Sequence, residues 1–331
     1  MIALAAAGWH LPDPVPVADL PELAHLSPAE RATCAALGID SVAVDDSLGP
    51  TDLAALAARR ALVAADREPD DVDVLLVIES RAPDTLVSSE ATRLQTALGA
   101  RRAMAFSVGG LGCASLTPAL LTAEGLLRAN PDLRTILVAH GSKPATPGRY
   151  RHPVTLNGDS GGALVIAREG PVLVRDMLLE TNGDYADLFR VDYRDRSFER
   201  WREECADLPT YSFKLAVETR NRLRSLTERL LYRNGLRPAD VACHISQNLS
   251  ATSLRNHEEI LGAPLTKSCQ DNLSRYGHLG PNDVFLNLYS ALDRGELHPG
   301  DRAVLLNVSP VAAWSALLVE IGPQEDAHHL L

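Results

Sequence analysis

The chain has little positive charge, few aromatic side chains, no paired cysteine spacing and no long apolar run. Of its 331 residues, 43 are acidic and 32 basic, a formal net charge of −11. A nucleic acid needs a basic face to meet its phosphates, so it is excluded as the main partner. The five cysteines, Cys34, Cys113, Cys205, Cys243 and Cys269, are odd in number and widely spaced, with no CxxC. That spacing supplies neither the usual zinc ligands nor a disulfide framework, so no metal is expected and a reducing cytoplasm is. No apolar run approaches the ~20 residues of a membrane span. The opening Met1–His10 lacks the basic flank of a signal peptide and leads into Leu11-Pro-Asp-Pro14, which reads as a first β-strand. Aromatic residues make up only 5% of the chain, so a pocket here draws chiefly on Leu, Val and Ala.

What is present is ordinary for a globular chain, 46% apolar and 23% charged. Strands and helices alternate. Strands are expected at 2–8, 73–78, 102–108, 135–140, 161–167, 172–179, 241–245, 303–308 and 314–321. Helices are expected at 51–65 (with Thr51 as N-cap), 88–98, 114–129, 212–234, 250–261 and 284–294. A polar insertion occupies about 181–209, a loop 270–283, and a frayed tail 322–331. The order of elements repeats, which predicts an internally duplicated α/β architecture with halves at 1–170 and 171–331. No low-complexity linker separates them, so close packing is expected.

Cys113 carries the most information. It lies in Gly109-Gly-Leu-Gly-Cys-Ala-Ser115, between an apolar strand and an amphipathic helix. Backbone N–H groups and the helix dipole at such a turn favour thiolate over thiol, which makes the cysteine a nucleophile. Five further segments follow in order: Gly158-Asp-Ser-Gly-Gly-Ala163, Phe213-Lys-Leu-Ala-Val217, Ser246-Gln-Asn248, Arg275-Tyr-Gly-His278 and Trp314-Ser-Ala-Leu317. With these in place, the chain resembles the thiolase-fold ketoacyl-ACP synthase III family along essentially its whole length. The resemblance implies a five-layered αβαβα fold, a homodimer, and no cofactor beyond a phosphopantetheine thioester used as substrate. Cys113 matches the family's acyl-accepting cysteine.

The departures from the family are as informative. Its condensing members use a His and an Asn to stabilise the enolate of a decarboxylated malonyl thioester. Here Ser246 stands at the His position and His278 at the Asn position. Asp283 lies five residues after His278, across a Gly-Pro turn, and can fold back onto the other imidazole nitrogen. Cys113, His278 and Asp283 then form nucleophile, base and orienter. The Gly277-His-Leu-Gly-Pro-Asn-Asp283 loop resembles that of the ketosynthase-III-like acyltransferases of antibiotic (polyketide) pathways. The expected function is transfer of an acyl group from an acyl-carrier-protein or CoA thioester to a hydroxyl, amine or thiol of a small molecule. The alternatives are a starter-unit condensing enzyme, a thioesterase and a catalytically silent subunit.

Ser246, Gln247, Asn248, Val311 and Arg151 are the expected substrate-binding residues, with Val311 offered as second oxyanion donor. The resemblance places Arg151 where the family contacts CoA, and Lys214 and Arg255 at the mouth where an acidic carrier protein docks. Arg149 is a second candidate for a donor phosphate, and His244 a candidate to line the site. Asp159 reads as a turn residue, and Asp283 has a rival role as helix N-cap. No tryptophan stands near residues 27–40 to stack on a CoA adenine, which favours carrier protein as donor.

Overall fold

The computed structural model describes residues 1–83, 85, 87–322 and 329–330. Nine strands build most of the main sheet. They are β1 (Ile2–His10), β2 (Val74–Ile78), β3 (Met104–Val108), β4 (Ile136–Ser142), β5 (Ser160–Ala167), β6 (Val172–Thr181), β7 (Cys243–Ser246), β8 (Arg302–Ser309) and β9 (Ala313–Ile321). The short β10 (His329–Leu330) pairs with β1, where a frayed tail is expected; Pro323–His328 and Leu331 lie outside the described residues. Hydrogen bonds join the strands in the order β7-β8-β9-β6-β1-β5-β4-β2-β3. The seam is the antiparallel β1–β6 pair, Ile2 opposite Val174.

The duplication shows in this order. From the seam outward, residues 2–167 contribute their first, fifth, fourth, second and third strands. Residues 172–321 repeat the sequence as β6, β9, β8 and β7. Their third strand is reduced to one parallel bridge between His244 and Leu265.

The helices are α1 (Pro28–Ala35), α2 (Pro50–Ala64), α3 (Glu90–Leu98), α4 (Leu116–Ala129), α5 (Ala216–Arg233), α6 (Ala251–Leu261), α7 (Lys267–Tyr276) and α8 (Asp283–Asp293). Strand side chains alternate faces, and that alternation sorts them into separate cores. Leu75 and Val77 of β2 pack with the alanines of α2, whereas Val74, Leu76 and Ile78 face α4. Ala303 and Leu305 of β8 share that central core with α8, whereas Val304 and Leu306 face Leu223, Leu226 and Leu230 of α5. The result is the thiolase-like layering of helix, sheet, helix, sheet and helix.

Two local expectations are corrected. Gly49, not Thr51, caps α2, with the Asp52 carboxylate accepting from the Gly49 N–H. Residues 270–283 are mostly helical, because α7 runs from Lys267 to Tyr276. Its buried face is Ser268, Cys269, Asn272 and Leu273, too polar to show an apolar stripe in sequence.

Helix α2 lies unusually close to the sheet. A Cβ built on Gly141 would sit 1.8 Å from the Pro50 carbonyl oxygen, and one on Gly161 would sit 1.9 Å from that of Leu53. Both obstacles are backbone and cannot swing aside. Gly141→Ala is therefore expected to destabilise the fold by about 1–3 kcal/mol, read as a lower urea midpoint at unchanged m-value. A midpoint equal to that of the wild type would refute this account of the packing.

Candidate active site

Strand β3 leads into a 3-10 turn, Gly112–Ser115, which carries Cys113 and feeds α4. Gly112 has φ +53, and a Cβ there would stand 2.8 Å from Ser309 Oγ, so this position needs glycine twice over. The second half fixes the turn. Asn307 of β8 donates from Nδ2 to the Cys113 carbonyl at 2.7 Å, and Thr117 donates to Ser315 Oγ of β9 at 2.8 Å.

His278 follows α7 and is held by its own peptide. Its N–H donates to the Leu156 carbonyl and its carbonyl accepts from the Gly158 N–H, both at 2.9 Å. The imidazole reaches Cys113, with Nε2 3.0 Å from Sγ. On its other side Nδ1 lies 2.6 Å from Asp283 Oδ2. Asp283 opens α8 as its first helical residue and Asn282 takes the N-cap position, so the capping role considered for Asp283 does not apply. Its carboxylate instead accepts from the Leu279 N–H at 2.8 Å and the Asn248 N–H at 2.9 Å. All three side chains are buried: Cys113 and His278 are 1% exposed and Asp283 0%.

Burial alone would raise the Cys113 thiol and lower the His278 imidazole. Their mutual attraction reverses both. The Cys113 thiol falls below its ordinary value, with His278 and then Arg81 overcoming burial. His278 is pushed up to about 10 by Cys113 and Asp283 against the same penalty. Each group thus favours the charged form of the other. The stability that His278 lends is complete below its ordinary 6.5 and is lost as pH rises through about 10. Cys113 has the opposite sign: its share is present above the ordinary thiol value and is lost as pH falls through the lowered one.

The remaining expected residues divide. Gln247 lines a cavity of about 450 Å³ together with Arg151, Leu215, Thr252, Val308 and Ser309. Its Oε1 accepts from the Val308 N–H at 2.6 Å, while its buried Nε2 has no hydrogen-bond partner among the described residues. Asn248 braces the triad through its backbone N–H, and its Oδ1 accepts from Asn287. Ser246, expected to bind substrate, is fully buried and engaged elsewhere, with Oγ 2.7 Å from His257 Nδ1. The Val311 N–H, expected as an oxyanion donor, is directed at Ser309 Oγ at 3.4 Å. Arg151 is 1% exposed and its Nε lies 2.7 Å from Glu203 Oε1, so it is not at the surface to meet a phosphate. That ion pair lacks hydrogen-bond alignment, and the nitrogens of Arg151 have no hydrogen-bond partner among the described residues.

Arg149 is likewise unavailable, since it forms a two-point pair with buried Asp159. His244 is buried on β7, and its carbonyl accepts from the Thr266 N–H. Lys214 and Arg255 are both exposed, each next in sequence to a cavity-lining residue, Leu215 and Asn256. The arginines of α5 offer less free charge than their number suggests. Arg222 and Arg229 pair with Glu180, and Arg233 with Asp176.

Three residues of the site went unread in the sequence: Asn307, Arg81 and Glu203. Arg81 follows β2, and its Nη2 lies 3.8 Å from Cys113 Sγ while Nη1 donates to Glu203 Oε2 at 3.0 Å. Glu203 belongs to the 181–209 insertion, which thereby reaches within one ion pair of the Cys113 sulfur. Among the described residues no group of three His, Cys, Asp or Glu side chains is placed to hold a metal ion, and no helix is long and apolar enough to cross a membrane.

Residues 231–321 match the family model for the C-terminal part of 3-oxoacyl-[acyl-carrier-protein] synthase III. The chain is 29% identical over 283 residues to a beta-ketoacyl-[acyl-carrier-protein] synthase III of Cereibacter sphaeroides, covering 81% of this chain and 83% of that relative. In fold it superposes on the acyltransferase ChlB3 with a TM-score of 0.83 at 23% identity, covering 97% of this chain and 98% of the other. The 3-oxoacyl-[acyl-carrier-protein] synthase III of Aquifex aeolicus gives 0.80 at 20% identity, covering 97% and 100%. AbyA1, a tetronic acid condensing enzyme, gives 0.78 at 24% identity, also covering 97% and 100%. The duplicated sheet, the cysteine at its strand-to-helix turn and the sequence match across β7 to β9 converge: the C-terminal part of the chain matches the ketoacyl-ACP synthase III family model, and the whole chain has the fold of those enzymes.

Proposed function

We propose that this chain is an acyltransferase of secondary metabolism. It takes an acyl group from the phosphopantetheine thioester of an acyl carrier protein, or from CoA, and passes it to a hydroxyl, amine or thiol of a small molecule. The observation that carries this reading is the unbroken relay from Cys113 Sγ through His278 to Asp283, 3.0 Å and 2.6 Å in its two links. The Cys113 thiolate attacks the donor carbonyl carbon. The tetrahedral oxyanion collapses, the carbon–sulfur bond to pantetheine breaks, and the departing thiolate takes the proton from the His278 imidazolium. Neutral His278 then removes the acceptor's proton as the acceptor attacks the Cys113 thioester. Collapse expels the Cys113 thiolate and restores the ion pair. The Cys113 N–H is the proposed donor to the oxyanion.

Two cavities support a two-substrate reaction. The first, beside Ser309 and Gly112, is the proposed pantetheine channel, with Lys214 and Arg255 near its mouth to meet an acidic carrier protein. The second, of about 570 Å³, is lined by Tyr150, His152, Trp201, Arg202 and Glu203 and touches the site from the insertion side. It offers the acceptor a compartment of its own. Decarboxylative condensation is disfavoured because Ser246, at the family's His position, is committed to His257. Strand β3 ends the sheet with one side unpaired among the described residues, an edge available to the proposed homodimer.

The test is intact-protein mass spectrometry after incubation with acyl-carrier-protein and acyl-CoA thioesters. The wild type is expected to gain one acyl mass, Cys113→Ala none, and the adduct is expected to persist until an alcohol, amine or thiol is added. Decay of the adduct only with malonyl thioester, with release of CO₂, would replace this reading with condensation. Decay in water alone would replace it with hydrolysis.

A further inference from the structure

We propose that Arg81 is a catalytic residue of this site, a second cation on the Cys113 sulfur that Glu203 of the insertion aims. The inference deepens the acyl-enzyme reading and rests on it. A guanidinium presents donors in a rigid fork, and this one divides them, Nη2 toward Sγ at 3.8 Å and Nη1 to Glu203 at 3.0 Å. A pair that served only to anchor the insertion would use both nitrogens on the carboxylate. Glu203 is in turn fixed from its other oxygen by Arg151, whose side chain is completely buried. The guanidinium therefore has little freedom to leave the sulfur.

The charges around the sulfur give this arrangement a use in each half of the reaction. Arg81 and Arg151 are the permanent cations, and Glu203 and Asp283 the carboxylates facing them and His278. His140, buried nearby, is held low at about 4 by burial and stays neutral at working pH, with Nδ1 2.9 Å from the Ile78 carbonyl oxygen. Burial raises the Glu203 carboxyl, with Arg81 and His278 acting against it; with both carboxylates ionised, two cations balance two anions, and the thiolate–imidazolium pair adds one of each. Once Cys113 is acylated its negative charge is gone. An imidazolium retained at that moment would leave the cluster with one excess positive charge in a buried site. Arg81 therefore stabilises the thiolate before acylation and favours loss of the His278 proton to the departing pantetheine thiolate after it. His278 is left neutral, as a base must be when the acceptor arrives.

The readout is the pH dependence of Cys113 alkylation by iodoacetamide in the full chain, followed by peptide mass so that the other four cysteines are counted separately. It needs no acyl donor. Arg81→Gln is expected to slow alkylation of Cys113 at pH 7 about tenfold and to move the midpoint of the profile upward by about one pH unit. Arg81→Lys, which restores the charge, is expected to recover most of the rate. Glu203→Gln keeps an oxygen for Arg81 but removes the competing charge, so its midpoint is expected to move down. A profile for Arg81→Gln that overlays the wild type would overturn the proposal. If that variant does not fold, a midpoint for Glu203→Gln that is unmoved or raised would do so instead. Should the alkylation shifts appear while no thioester acylates the wild type, the acyl-transfer reading fails and the assignment of Arg81 to the sulfur stands.

Discussion

His278→Ala is expected to lower the rate of acyl transfer by about a thousandfold or more. In the proposed mechanism the imidazole serves twice, as the acid that protonates departing pantetheine and as the base that takes the acceptor's proton. No other described side chain lies within hydrogen-bond distance of Sγ on that side; Arg81, at 3.8 Å, cannot accept a proton. The two half-reactions are therefore expected to suffer unequally. Arg81 still favours the thiolate, so an acyl adduct forms slowly by mass spectrometry, whereas its transfer to the acceptor nearly stops. The fold is expected to survive, because Asp283 keeps the N–H donors of Leu279 and Asn248. Steady-state turnover within tenfold of the wild type, in a variant with an unchanged melting profile, would remove His278 from the mechanism.

Asp283→Asn is expected to cost about ten-thousandfold in turnover and roughly 3 kcal/mol in stability. The carboxylate accepts three hydrogen bonds, from His278 Nδ1, the Leu279 N–H and the Asn248 N–H. An amide has one oxygen to offer and must turn its NH₂ toward at least one of those donors. If the NH₂ faces Nδ1, the ring is forced into the tautomer that carries its proton on Nε2, toward the sulfur it should deprotonate. If it faces the backbone, a buried N–H loses its partner. The pH dependence follows with a definite sign. Asp283 helps raise His278 to about 10, so the wild type gives up that contribution between pH 6.5 and 10. The variant begins with less of it, and its urea stability is expected to fall less over that interval. Parallel curves for the two proteins would show that the carboxylate does not hold the imidazolium.

The juxtaposition of Cys113, His278 and Asp283 was legible because each sits where local backbone constrains it. Cys113 announces itself by the glycines that its turn needs, and His278 and Asp283 by a loop spacing that folds one onto the other. Direction was less legible than position. Ser246 stands at the family's His position but points to His257, and Val311, the expected oxyanion donor, spends its N–H on Ser309. A register fixes which residue arrives at a place; the rotamer and the neighbours decide which way it faces. Arg81 and Glu203 were invisible for another reason. In sequence each is one charge in a polar segment, indistinguishable from a solvated surface, and only the fold brings residues 122 apart into a pair beside the sulfur. Helix α7 was hidden because polar Ser268 and Asn272 occupy half of its buried face, Asn272 donating to Asn287 and Ser290.

Cys113, the proposed nucleophile, belongs to the first half of the chain and His278, its proposed base, to the second, yet the peptide of His278 is stitched to residues 156 and 158 of the first. The proposed proton path therefore spans the seam of the molecule and is tied down on both banks. A slip of one half against the other by a fraction of an ångström would lengthen the Sγ–Nε2 contact while leaving every helix and strand intact. Turnover through the proposed relay is therefore expected to act as a strain gauge for that seam. Under mild denaturant or a destabilising lesion far from Cys113, it should fail before circular dichroism registers any loss of structure.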